Sequence, residues 1–132
     1  MTLESIMDDL NRALLQKALV AESMAITAGL MRIRAITKDA APIVAELESG
    51  DVARIASAKE RFEALLQAFR ATTTQLLIDL DKGMDRADTP TESRERVRET
   101  FTLSMREAEA TLARLNTPEK LFKSTGKAIG KA

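Results

Sequence analysis

The side chains best suited to holding a metal ion are Asp79, Asp81, Asp85 and Asp88, grouped around Gly83. Carboxylates this close together invite a calcium loop, whose oxygen ligands recur around a sharp glycine turn. The register fails. Counted from Asp79, Gly83 stands fifth where glycine is needed sixth, and Pro90 occupies the place of the bidentate glutamate. A solvated helix end and turn is the expected role of this cluster.

The chain has no histidine, cysteine, tryptophan or tyrosine. Histidine is the commonest acid–base group and cysteine the strongest nucleophile, so their absence removes most enzymatic chemistry. Ser5, Ser23, Ser49, Ser57, Ser93, Ser104 and Ser124 have no imidazole to activate them. No Gly-rich phosphate loop and no Gly-x-Ser-x-Gly elbow occurs. Carboxylate-bridged metal sites in helical bundles draw on Glu-x-x-His pairs, which all but excludes that class here. Paired-carboxylate hydrolysis has acids enough, but they alternate with Arg and Lys in the manner of a solvated surface. The expectation is a protein without catalytic function, cofactor or metal.

Three polar groups remain as binding candidates. Arg32 and Arg34, followed by Lys38, form a close basic set suited to an anion or to a partner's acids. Cations near a helix C-terminus are also favoured by its dipole, and that is the stronger explanation. The run Thr72-Thr73-Thr74 falls mid-helix, where its hydroxyls are expected to bond back to carbonyls one turn earlier. A small-molecule site between helices beside these threonines is the rival reading.

The third group is C-terminal. Lys120, Lys123, Lys127 and Lys131 would share one helix face, with Leu121, Phe122 and Ile129 as its apolar complement. Basic amphipathic segments dock on anionic membranes or acidic partners. Lys120, Phe122, Lys123, Lys127 and Lys131 are therefore the candidate surface-docking residues. Gly126, Gly130 and the short length favour a frayed, solubilising tail instead. Nucleic-acid binding is disfavoured: the segment lacks Arg, and net charge over the whole chain is +0.

These residues need elements to position them. A chain of 132 residues with 45 % hydrophobic and 30 % charged residues suits a single folded domain. Only 3 % is aromatic, so Ala, Leu and Met must fill the core. The opening residues carry an acid and no basic stretch, and charges punctuate every apolar run. A secretory signal and a membrane span are not expected, and a cytoplasmic location is the default.

Helical periodicity predicts a first long segment over about 3–38, capped by Thr2. Leu3, Met7, Leu10, Leu14, Ala21, Met24, Ala28 and Met31 make one heptad-like seam, interrupted by Lys17. Leu15, Leu19, Ile26, Leu30 and Ile33 make a second stripe beside it. Pro42 should end or kink this helix. Ile43, Val44 and Leu47 then form a short apolar turn closed by Ser49-Gly50, and Asp51 caps a second helix over about 52–81. Its seam is Val52, Ile55, Phe62, Leu66, Phe69, Leu76 and Leu80.

Residues 82–88 read as a loop. Thr89-Pro90-Thr91-Glu92 gives the clearest helix start, with Thr as cap, Pro at the first helical position and Glu closing a capping box. The third helix, about 90–116, turns Val97, Phe101, Met105, Ala108, Leu112 and Leu115 inward, with Glu92–Arg96 and Glu95–Arg98 spaced to pair outside. Asn116 ends it, and Thr117-Pro118-Glu119 opens a short last helix.

The expected fold is all-α: an antiparallel up-down-up bundle of three long helices plus a short C-terminal helix, assembling as a dimer. Residues 1–116 form the bundle domain and 117–132 the short basic helix or tail. Two stripes on the first helix exceed what two companions cover, so Leu15, Leu19, Ile26, Leu30 and Ile33 are the expected self-association residues. The function expected is a non-enzymatic self-associating adaptor or scaffold, with a homodimer or another protein as partner. The alternatives are a peripheral membrane- or surface-docking module using the Lys-rich segment, or a small-molecule-sensing bundle.

Overall fold

A computed structural model of the chain describes residues 2–115, which are helical with no strand among them. Four helices follow one another: α1 (Leu3–Gln16), α2 (Val20–Leu47), α3 (Val52–Arg86) and α4 (Thr91–Leu115). The expected end at Asn116, the short last helix and the basic tail lie outside the described residues.

The first long helix is two helices, not one. At the break, Leu19 N–H bonds the Leu14 carbonyl (2.9 Å) and Ala18 N–H bonds the Leu15 carbonyl (3.0 Å). Ala18 takes the left-handed conformation, φ 60°, that this helix ending requires. Leu19, the next residue, packs on the core as such endings favour. Glycine is the usual occupant of that position. An alanine there left no mark in the pattern.

Folding back at Ala18 lays α1 along α2. Arg34 Nη2 reaches Glu4 Oε1 (3.2 Å), and Ser23 Oγ donates to Asn11 Oδ1 (3.1 Å). Ile6, Met7, Leu10 and Leu14, spaced by one and then by three or four, are the buried face of α1. Part of the apolar excess read along one rod is thus covered by the rod's own first half.

Pro42 lies inside α2, which continues to Leu47. Proline removes an amide donor, yet Pro42 is exposed, and Lys38, whose carbonyl loses that partner, is exposed as well. Burial of Ala40, Ile43 and Leu47 holds the helix on its course past the proline. Arg32, Arg34 and Lys38 are therefore mid-helix residues, and the helix-end dipole does not explain them.

α2 and α3 share the most extensive contact and run in opposite directions. Glu22 pairs with Arg86, Gly29 lies beside Leu76, and Glu46 pairs with Arg61. Ser49 Oγ donates to the Glu46 carbonyl (2.7 Å), and Asp51 caps α3 by accepting from Ala53 N–H (3.0 Å) and Arg54 N–H (3.4 Å). The capping aspartate was legible; the length of α3 was not. It runs through 82–86, read as loop, because Gly83 is a packing residue. A Cβ there would sit 3.3 Å from Ile26 Cδ1 and 3.5 Å from Leu14 Cδ1.

α4 packs on both α3 and α1. Its first helical bond runs from Arg94 N–H to the Pro90 carbonyl (3.0 Å), so the helix opens one residue later than the capping-box reading places it. The Thr89 carbonyl instead accepts from Arg94 Nε (3.2 Å). Phe62, Phe69 and Phe101 are the largest fully buried side chains, joined by Leu14, Ile26, Leu76, Leu80 and Met84. Val52, expected on the α3 seam, is 82 % exposed.

Candidate interaction surface

The polar candidates resolve first. Asp79 accepts from Gln75 Nε2 (3.1 Å), Asp81 pairs with Arg98 (3.4 Å), Asp85 with Arg94 (2.7 Å) and Asp88 with Lys17 (3.6 Å). Asp81 and Asp85 tie α3 to α4, Asp88 ties the turn after α3 to the end of α1, and Asp79 bonds within α3. Arg98 reaches across to α3 instead of pairing with Glu95 on its own helix. Among the described residues no group of three or more metal-ligating side chains converges. The threonine hydroxyls donate to the carbonyls four residues earlier: Thr72 to Ala68 (2.7 Å), Thr73 to Phe69 (2.8 Å) and Thr74 to Arg70 (3.0 Å).

The five residues expected to form one self-association stripe are divided by the fold. Ile26 (0 % exposed) and Ile33 (7 %) are core residues of the single chain. Leu19 and Leu30 are half-buried against that core. Leu15 alone is open, at 55 % exposure. Ile26 and Ile33 fail as surface residues because Ile and Leu are the most apolar side chains on α2 and are drawn inside first. Lys120, Phe122, Lys123, Lys127 and Lys131 lie outside the described residues.

What α2 presents outward is the other stripe. Met24 and Met31 are 66 % and 63 % exposed. Ala28 and Ala35 continue the same line and are exposed too. The order Met24, Ala28, Met31, Ala35 steps by four, three and four, the spacing of a coiled-coil seam. Val20, Ala21, Ala25 and Thr27 widen the face, and no charged residue occurs from Ser23 through Met31.

Single exposed hydrophobic residues are ordinary; a continuous row on an uncharged helix face is a larger apolar exposure. Leu103, Ile78 and Val52 are exposures of the single kind. Arg32 lies at one flank of the row and Lys38 and Asp39 at its end, and none of the three has an ion-pair partner among the described residues. The available signal on α2 was composition within the amphipathic pattern: there the Ile/Leu stripe goes in and the Met/Ala stripe stays out.

A shallow cleft also opens where α1 meets the α3–α4 turn, lined by Ile6, Leu10, Ala13, Ala87, Pro90 and Val97. Another lies between α3 and α4 beside Thr73, Phe101 and Met105. Neither gathers a buried, unpartnered polar group that would orient a ligand. No helix among the described residues is long and apolar enough to cross a membrane. No protein-family model matches the chain, and comparison with curated proteins and with solved structures found no match.

Proposed function

We propose that this chain is a non-enzymatic helical interaction protein, a self-associating adaptor or scaffold whose contact surface is the outer face of α2. One observation carries the reading: Met24 and Met31 stand open to solvent on an uncharged helix face with the spacing of a helix–helix seam. Methionine suits the role, because its unbranched thioether chain repacks against varied surfaces. Covering the row with another helix removes apolar area from water, which drives most protein association.

Sedimentation of the purified chain at micromolar concentration tests the proposal. A species of twice the chain mass is expected, dissociating on dilution. Met31→Glu should return it to the monomer while far-ultraviolet circular dichroism keeps its helical amplitude, since Met31 contributes little to the core. A chain that stays monomeric up to millimolar concentration would sink the reading.

A further inference from the structure

We infer that the outer face of α2 pairs with the same face of a second copy, antiparallel about a two-fold axis that crosses the helix at Gly29–Leu30. The inference rests on the self-association reading and adds the partner's orientation and register.

The seam Met24, Ala28, Met31, Ala35 is spaced four, three, four, and that spacing is the same read backwards. Its residue sizes are not: they alternate large and small. Laid against itself in reverse, the seam therefore sets Met24 against the partner's Ala35 and Ala28 against the partner's Met31. Every thioether chain meets a methyl, and the two backbones stay evenly separated along the contact. A parallel, in-register pair would put methionine on methionine and alanine on alanine, giving crowding at one level and a gap at the next. Evenly filled levels pack closer to interior density than that alternation does.

The charges select the same orientation. In a parallel pair Lys38, which continues the Met24–Met31 spacing by seven, would lie against its own copy, like charge on like charge, a destabilising arrangement. Reversed, Arg32 lies level with the partner's Thr27, Lys38 with the partner's Ala21 and Asp39 with the partner's Val20, the last two in the first turn of its α2. On that first turn the Asp39 carboxylate is favoured and offsets the Lys38 cation beside it. Leu19 stands at the cap position of α2 with no side-chain bond to the free amides, and the helix dipole is positive there. Twenty residues, Val20 to Asp39, take part over roughly 30 Å of helix at about 1.5 Å per residue. An interface of one helix seam sits at the small end of specific contacts, consistent with dissociation on dilution.

The chain contains no cysteine, so introduced thiols report pairing without interference. Three variants are made, Met24→Cys, Ala28→Cys and Ala35→Cys, all at exposed seam positions. They are oxidised singly and in mixture at concentrations where the unmodified chain sediments as a dimer. In the proposed register residue 24 lies about 16 Å along the axis from its own copy, beyond the reach of a disulfide. Met24→Cys alone and Ala35→Cys alone should remain uncrosslinked. Their mixture should give the disulfide-linked heterodimer as the main product, and Ala28→Cys, close to the axis, should crosslink with itself.

Met24→Cys crosslinking to itself as readily as to Ala35→Cys overturns the antiparallel register. So does a chain that is dimeric by mass but gives no disulfide at any of the three positions, which would move the interface off this face. A monomeric parent chain removes the self-association reading as well, so the two failures are told apart by the sedimentation control.

Discussion

Lys17 donates a hydrogen bond from Nζ to the carbonyl oxygen of Ala87 at 2.5 Å, joining the end of α1 to the end of α3 across seventy residues of chain. The two ends are built alike. At the α3 end Thr89 N–H bonds the Met84 carbonyl (3.0 Å) and Asp88 N–H the Asp85 carbonyl (3.2 Å), with Asp88 left-handed at φ 52°. The α1 end repeats that pattern with Ala18 in the left-handed place. Lys17, which looked like a flaw in the apolar seam, occupies the cap position of α1 and neutralises the partly negative end of α3. Replacing it with Ala should destabilise the fold by about 1 kcal/mol. That is the usual worth of a charged hydrogen bond discounted for a side chain 47 % exposed. Urea denaturation monitored by circular dichroism measures this, and an unchanged midpoint would show that the bond is incidental.

Ala18→Gly is expected to stabilise the protein. An L-residue in the left-handed region pays roughly 1–2 kcal/mol that glycine does not. Glycine's larger unfolded-state freedom offsets part of this, leaving about 0.5–1 kcal/mol. Ala18 is exposed, so no packing is lost. A higher melting temperature for the variant supports the assigned break between α1 and α2. A lower one would mean that residue 18 is helical in solution and that the first helix is continuous.

Pro42→Ala should also raise stability, by about 2 kcal/mol. An interior proline costs near 3 kcal/mol relative to alanine, partly recovered through a stiffer unfolded chain. Pro42 shows why a rule that holds locally misread the chain here. A proline forbids one hydrogen bond, and the buried side chains of Ala40, Ile43 and Leu47 outweigh that single loss. The same competition explains Gly83, whose missing side chain served packing against Ile26 and Leu14 while resembling a loop signal. Features whose cause is local were legible: the Thr2 cap on Ser5 N–H (3.1 Å), the Asp51 cap and the threonine back-bonds each depend on residues within four positions. The fold-back at Ala18 depends on where α4 and α3 end up, and no short window of sequence contains that information.

The outer face of α2 follows the same division. Periodicity located two apolar stripes on the first long segment, and on α2 the Ile/Leu one packs inward while the Met/Ala one stays out. Substituting each stripe separately tests the choice. Ile26 is fully buried against the position of Gly83, so Ile26→Glu must bury a charge or protonate it, at a cost above about 3 kcal/mol. The variant is expected to lose cooperative thermal unfolding or to melt far below the parent. Met24→Glu places its carboxylate in water and should melt within a few degrees of the parent when both are measured as monomers at low concentration. If Ile26→Glu instead kept the parent's monomer stability, Ile26 would face solvent, and the packing of α2 on α3 that buries it against Gly83 would be wrong.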